Sequence, residues 1–252
     1  MFRIYHPNAP RFHYRGIILK FRGEFILCMN FLSHFYFDRH SNDSLRITGT
    51  VLPDLVRNTA KEWNLRPEKS HELFKSAAHR SLLGGWQKHL EVDRYFHNSL
   101  FFREHSRQLR LAIGPALQHT QVRPFFVAHI GLELLLDGLL LSENELQAED
   151  LYVHLEAAEW EAIESFLQLC GIKDTARFQQ YFKSFLKNRY LSSYQDAGQV
   201  AYALSRICLR VWPEPLGSSE TDQLTQILTA YLRKLKPSYR QIYREIENNV
   251  SN

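Results

Sequence analysis

An almost unbroken run of apolar residues lies in the middle of the chain, from Phe125 to Leu141. Three ionisable residues interrupt it at intervals of four: His129, Glu133 and Asp137. Four residues of an α-helix advance about 400°, so these side chains form one stripe on a leucine-rich helix. Burying unpaired carboxylates is costly, so the stripe predicts a cationic partner: a metal ion, an arginine or lysine, or a protonated histidine.

A second helix with the same spacing is predicted from Trp86 to about Arg103, carrying His89, Asp93 and His97 among apolar residues. The first and third residues of each stripe lie about 12 Å apart along the helix. One metal ion with ligand bonds near 2 Å does not span that distance. Two facing stripes therefore suit two metal ions, or one ion beside groups that hold substrate or act as acid and base. The mixed nitrogen and carboxylate donors fit Mn, Fe or Zn rather than Ca.

The two stripes also fit a protein without catalytic activity. Histidines and carboxylates on packed core helices can pair with one another in a lattice of buried salt bridges. That alternative describes a helical binding protein that purifies without metal. Asp54 and His34 are weak signals on their own, because Pro-Asp often starts a helix and a core histidine commonly bonds to a carbonyl.

The rest of the chain follows the helical period, and no strand alternation occurs. Pro53 predicts that a helix begins near Asp54, and Gly84–Gly85 predict the end or a bend of a helix before Trp86. Pro124 suits the first turn of the leucine-rich helix, and Ser142-x-x-Glu145 reads as a capping box that ends it near Leu141. Further helical segments are predicted at 29–37, 67–83, 157–170, 175–191, 195–211 and 221–248. The expected fold class is all-α, a single-domain multi-helix bundle of roughly eight to ten helices.

Composition changes this picture little. With 252 residues, 44% hydrophobic and 23% charged, the chain has the make-up of an ordinary globular protein. Its three cysteines have no CxxC spacing, so neither a disulfide framework nor a cysteine zinc site is predicted, and a cytoplasmic location is expected. No transmembrane helix is predicted, because residues 125–141 carry three ionisable groups.

The net charge of +4 comes from the first 28 residues, which hold five basic residues and one glutamate. The other 26 basic and 26 acidic residues balance. Neither nucleic acid nor a membrane is therefore expected as a partner. Residues 1–28 lack a helical period and are interpreted as an extension upstream of a native start at Met29, with 29–252 as the domain. A basic arm that binds a membrane or nucleic acid is the alternative for 1–28.

Three motifs occur in order: MNFLSH at 29–34, GTVLPDLVRN at 49–58 and HLEVDRYFHNS at 89–99. They resemble the acyl carrier protein phosphodiesterase family, whose pattern is close to MNFLAH, GN-x-x-x-DFV-+-G and HR-x-ID-x-FTD. The resemblance covers roughly Met29 to Asp137. Leu90 stands where the family has arginine, His97 where it has aspartate, and His129 where an acidic residue is expected.

The resemblance implies a fold like that of HD-type metal phosphohydrolases, and a Mn-dependent hydrolase that releases 4′-phosphopantetheine from holo-acyl carrier protein. Fe and Zn are the other metals considered, and a zinc-type phospholipase or another helical phosphohydrolase is the remaining alternative. Combined with the stripes, the resemblance places metal ligands at Asp54, His89, Asp93, His129 and Glu133, catalytic groups at His97 and Asp137, and a substrate contact at His34.

A basic docking face is also expected, because acyl carrier proteins are acidic. The candidates are Lys183, Lys187 and Arg189, which lie among aromatic residues in the segment 177–190. The alternative for this segment is that its aromatic residues belong to the core and its basic residues are merely solvated.

Overall fold

The computed structural model describes residues 30–214 and 216–250, which contain helices and no strand. The predicted extension at 1–28 lies outside the described residues. The all-α prediction is confirmed, with eleven α-helices where eight to ten were expected. They are α1 Phe31–Tyr36, α2 Ser44–Thr59, α3 Ala77–Asn98, α4 Leu100–Ile113, α5 Pro124–Ser142, α6 Ala148–Ala157, α7 Trp160–Leu169, α8 Ala176–Asn188, α9 Ala197–Cys208, α10 Ser218–Leu235 and α11 Tyr239–Glu247.

The leucine-rich helix α5 forms the centre of the core, with α1, α4, α9 and α10 packed around it. It starts at Pro124 and ends at Ser142, as predicted, and Glu133 and Asp137 have no exposed surface. Its length and mean hydropathy of 1.7 would fit a membrane span, but 83% of its apolar stretch is buried inside the protein. The apolar surface of α5 is therefore covered by the other helices of this chain.

The capping box predicted after α5 is wrong. The Ser142 hydroxyl donates back to the carbonyl of Leu139, and the next helix starts only at Ala148. Glu145 accepts a hydrogen bond from the Arg240 side chain of α11 instead of turning back to the backbone near Ser142. The turn between the two helices is made by Asn144, which has a positive φ of 57°.

Helix α2 contradicts the prediction that a helix begins near Pro53. It begins at Ser44, where the side chain of Asp43 accepts the backbone N–H of Arg46, and it continues through Pro53 to Thr59. A proline inside a helix removes one backbone hydrogen bond and bends the helix, yet burial on every side can hold it in place. Asp54 therefore lies within the second half of a helix and not at a helix N-terminus.

The glycine pair also acts differently from its prediction, because α3 runs through Gly84–Gly85 without interruption. Gly49 of α2 and Gly85 of α3 lie where the two helices come closest. A Cβ on Gly49 would overlap the carbonyl oxygen of Leu82, and a Cβ on Gly85 would overlap that of Arg46. These glycines therefore serve the close packing of α2 on α3, which brings the second half of α2 beside the polar stripe of α3.

The helix predicted from Trp86 to Arg103 is divided at Ser99. The Ser99 hydroxyl accepts the backbone N–H of Phe102 and so caps α4, while α3 ends at Asn98. The other predicted segments differ less. Residues 67–73 form two short 3-10 turns, and the last predicted segment divides into α10 and α11 around Pro237.

Candidate metal centre

The two predicted stripes face each other, and α1 and α2 add one side chain each. Two groups of possible metal ligands result. The first contains His34, Asp54 and His89, and the second contains His97, His129 and Glu133. Within each group one donor atom per residue lies within 4.8 Å of the others, so each group could hold a metal ion.

The first group is deeply buried. The rings of His34 and His89 stack with their centroids 3.8 Å apart and their planes 20° apart. His89 Nε2 lies 4.0 Å from Asp54 Oδ1, and the two side chains are 3% and 2% exposed. His34, expected as a substrate contact, thus lies among the possible ligands. His34 is not part of a series of ionisable residues at regular spacing, so the sequence could not have placed it there.

A backbone carbonyl sets the orientation of His89. Its Nδ1 lies 2.8 Å from the carbonyl oxygen of Thr50, which can only accept, so Nδ1 carries the hydrogen and Nε2 presents a lone pair. That lone pair faces oxygens of Asp54 and Asp93, which are also acceptors. Burial and the neighbouring His34 lower the pKa of His89 to about 3, although Asp93 raises it. Nε2 is therefore unprotonated at neutral pH, and a cation fits the space between these acceptors.

Asp54 gives a second reason for a cation. Its Oδ2 has no hydrogen-bond partner among the described residues, although the side chain is buried. Burial and the charge of Asp93 raise the pKa of Asp54 well above its ordinary value, while Arg57 lowers it. A buried carboxylate without donors is costly unless a positive charge compensates it. The donors of the first group therefore fit a metal ion.

Asp93 connects the two groups. Its Oδ1 lies 3.4 Å from His34 Nε2 and 3.6 Å from His97 Nε2, and its Oδ2 lies 3.7 Å from His89 Nε2. Burial opposes its ionisation, but the three histidines outweigh that effect and hold the pKa of Asp93 well below its ordinary value. Asp93 is thus an ionised carboxylate within reach of both groups.

The second group lies at the open edge of the cluster. Glu133 Oε1 is 3.1 Å from His129 Nε2 and 3.6 Å from His97 Nε2. Glu133 has no exposed surface, whereas His97 and His129 are 28% and 17% exposed. Burial lowers the pKa of His97, but Asp93 and Glu133 raise it more, so the net shift is upward. The ring of Phe102 packs edge-on against both histidines, with centroids 4.8 and 4.9 Å away.

Asp137 belongs to neither group. Its Oδ2 accepts the Leu32 backbone N–H at 3.1 Å, and its Oδ1 accepts the Ser33 N–H at 2.8 Å and the Ser33 hydroxyl at 2.6 Å. The Ser33 hydroxyl is also 2.7 Å from the Tyr243 hydroxyl. These N–H groups form the first turn of α1, so Asp137 caps the helix that carries His34. Its expected catalytic role does not fit this placement, because α1 engages both carboxylate oxygens.

Of the expected docking residues, Lys183 and Lys187 lie on α8 and Arg189 follows its last residue. Lys183 and Lys187 are exposed, and Arg189 pairs with Glu149 and Glu156 of α6. The phenylalanines of α8, Phe178, Phe182 and Phe185, are buried core, which agrees with the alternative interpretation of this segment. The charge of Arg189 is therefore compensated within the chain.

Comparison of the chain with protein-family models, with curated proteins and with solved structures found no match in any of the three. The similarity to acyl carrier protein phosphodiesterases therefore remains a similarity of three short motifs.

Proposed function

We propose that the protein is a metal-dependent phosphodiester hydrolase with an architecture like that of HD-type metal phosphohydrolases. One observation carries the proposal: the hydrogen bond from His89 to Thr50 turns an unprotonated Nε2 toward the carboxylates of Asp54 and Asp93. Three electron-pair donors that converge in a largely buried space can hold a cation between them, and a cation would compensate their charge. The resemblance of the three motifs supports phosphodiester chemistry at such a site.

The residues divide between two ions. His34, Asp54 and His89 would hold the first, and His97, His129 and Glu133 the second. Asp93, within reach of a histidine in each group, would contact both ions. Divalent ions in such a site neutralise phosphate charge and lower the pKa of bound water. Mixed imidazole and carboxylate donors suit manganese, with iron or zinc as the other candidates.

The protein's own side chains orient this site and leave it open on one side. Thr50 holds the His89 ring through its carbonyl, and Asp137 holds α1 and hence His34. Asp93 and His97 are 25% and 28% exposed, so the phosphate of a substrate would approach at this edge. His97 then acts as a ligand at the edge, in place of the acid or base role expected from its position in the sequence.

Within this class we propose release of 4′-phosphopantetheine from holo-acyl carrier protein as the reaction. The support is the order of the motifs at 29–34, 49–58 and 89–99, and the residue-for-residue spacing of the third. Leu90 supplies no guanidinium where the family has one, so another group must hold the phosphate. Hydrolysis of a small diester therefore tests the chemistry apart from the carrier protein.

The test combines metal analysis with two assays. We expect the purified protein to contain Mn, Fe or Zn, to hydrolyse bis(p-nitrophenyl) phosphate, and to release phosphopantetheine from holo-acyl carrier protein, detected by mass spectrometry. Asp93→Ala and Glu133→Ala should each lose metal and activity. The matched control is Glu91→Ala, a change on α3 outside the stripe. Full metal content and activity in both variants would rule out this assignment.

A second candidate is a binding protein whose cluster is a lattice of ion pairs. It is favoured by the 3.1 Å contact between His129 Nε2 and Glu133 Oε1, which brings donor and acceptor together without an ion. In that case the protein purifies without metal, and added Mn leaves its melting temperature unchanged. The same metal analysis therefore distinguishes the two functions.

A further inference from the structure

The outward side of α4 combines apolar and basic residues. Leu100 and Leu111 are 61% and 60% exposed. They are eleven positions apart, so at 100° per residue they lie on one side of the helix, about 16 Å from each other along its axis. Single exposed leucines are common on protein surfaces, but two aligned on one helix face mark a surface that another molecule can cover.

Three exposed arginines lie between these leucines: Arg103, Arg107 and Arg110. With the leucines they fall within a sector of about 100° around the helix. None of the three has an acidic partner within 4.0 Å in the described part of the chain, whereas Arg177 and Arg240, also exposed, pair with glutamates. Glu104 is the only acidic residue of α4. This surface, the α4 face, therefore carries net positive charge.

The α4 face begins close in the chain to the open edge of the metal centre. The helix starts at Leu100, three residues after His97, and is capped by Ser99. From its inner side, Phe102 contacts the rings of His97 and His129. A molecule bound along α4 would therefore have one end at the start of the helix, three residues after His97 in the chain.

We propose that the α4 face binds an acidic amphipathic helix of the protein that carries the phosphodiester. This rests on the proposed function, since it names the partner that brings substrate to the cluster. The arginines would pair with carboxylates, and the two leucines would pack on apolar residues three helical turns apart. A nucleic-acid backbone offers nothing apolar to the leucines. An amphipathic helix offers acidic and apolar side chains on one face, so an acidic protein fits best.

Helix α8 lacks the combination of charge and exposed leucines that α4 has. On α8 the exposed Lys183 and Lys187 lie beside Ser184 and Asn188, and none of the large exposed apolar side chains of the described residues lies on this helix. Arg189 is paired with two glutamates of α6. A docking helix needs apolar anchors as well as charge, because rim charges alone mainly affect association rates. The lysines of α8 therefore provide a matched control.

The test measures binding of fluorescently labelled apo-acyl carrier protein, an acidic protein without the phosphodiester, so no catalysis is involved. The α4 variants are Arg103→Glu/Arg107→Glu/Arg110→Glu and Leu100→Ser/Leu111→Ser, and the control is Lys183→Glu/Lys187→Glu. We expect each α4 variant to raise the Kd at least about tenfold and the control to change it less than about twofold. Circular dichroism and melting temperatures verify that all variants fold.

Three outcomes would overturn the proposal: no binding by the wild-type protein, equal binding by the wild type and the α4 variants, or tight binding to phosphatidylglycerol-containing vesicles in place of the carrier. The wild-type hydrolysis of bis(p-nitrophenyl) phosphate is measured separately. If that activity is absent while the α4 variants lose binding, the proposed function fails and the docking face stands. If the wild type hydrolyses the diester and the α4 variants bind as well as the wild type, the proposed function stands and the docking face fails.

Discussion

The imidazole of His89 and the backbone of Thr50 are joined by a 2.8 Å hydrogen bond between α3 and α2. Thr50 lies three residues before Pro53, in the part of α2 where the proline interrupts regular helical bonding. The bond places the Nε2 lone pair of His89 opposite two carboxylates, and it forms only because α2 and α3 pack so closely. The glycines at the helix contact and the chemistry of the cluster are thus directly linked.

Gly85→Ala should weaken both the fold and the site. The added methyl group would overlap the carbonyl of Arg46, so α2 must move away from α3. We expect urea unfolding to show a free energy of unfolding lower by about 1–3 kcal/mol, together with reduced metal content. Gly84→Ala is the matched control, because its new methyl would meet only the Arg46 side chain at 3.5 Å. That variant should be neutral or more stable by roughly 0.5–1 kcal/mol.

Asp93→Asn should reduce the amount of bound metal more than a substitution of a ligand that belongs to only one of the two groups. The carboxylate contacts histidines of both groups, so its neutralisation weakens both proposed ion sites. We expect metal-dependent hydrolysis to fall by at least about 100-fold, since changes in residues that merely support ligands already cost 10- to 100-fold. Elemental analysis should show that His129→Ala removes part of the metal. Equal metal content in the two variants would argue against a shared carboxylate.

Asp137→Ala should destabilise α1 and lower metal affinity without removing a ligand. Two buried N–H groups and the Ser33 hydroxyl would lose their acceptor. An unsatisfied buried donor costs about 1–3 kcal/mol, so the free energy of unfolding should drop by at least that amount. Asp137→Asn keeps one acceptor oxygen and should lose less. If a folded Asp137→Ala protein kept its Mn affinity, the position of α1 would not be needed for metal binding.

The carboxyl group of Asp137 should also make the stability of metal-free protein depend on pH. Burial raises the pKa of Asp137 to about 7, although hydrogen bonds from Ser33 and Leu32 lower it, while an unfolded aspartate titrates near about 3.9. Between these values the native state holds a proton that the unfolded state lacks. The free energy of unfolding should therefore fall by about 1–3 kcal/mol between roughly pH 5 and pH 7, and level off above.

Urea unfolding of chelator-treated protein over this pH range checks the expectation. Asp137→Asn has no titrating group at this position, so its stability should change less with pH than that of the wild type. The other groups titrate in both proteins, so the difference between the two profiles reports Asp137 and the neighbours whose pKa its charge raises, among them Asp54 and Tyr243. Parallel pH profiles would show that Asp137 is ionised throughout in the folded protein.

Mn should stabilise the wild-type protein against thermal unfolding. A ligand at 100 times its Kd adds about 2.7 kcal/mol, and a chelator should reverse the gain. His34→Ala should lose most of this effect, because it removes a member of the buried group. His79→Ala, a change outside both groups, should keep it. No thermal shift in the wild type would favour the lattice of ion pairs.

Local rules were sufficient for the all-helical class and for the composition of the stripes. The helical period alone predicts that His89, Asp93 and His97 share a side of α3, and that His129 and Glu133 share a side of α5. Pro124 marked the start of α5 correctly. These features depend on residues within a few turns of one another, which is the range over which backbone geometry is determined.

The residues that these side chains contact on other helices could not be predicted from the helical period. Eight residues of helix advance about 800°, so Asp137 lies about 80° around α5 from His129 and faces α1 instead of the cluster. His34 joins Asp54 and His89 only because α1 is held by Asp137. Pro53 and Gly85, which locally favour helix ends, lie within helices because burial and close packing outweigh their propensities. A helix determines the face on which a residue lies, whereas the packing of other helices determines what that face meets.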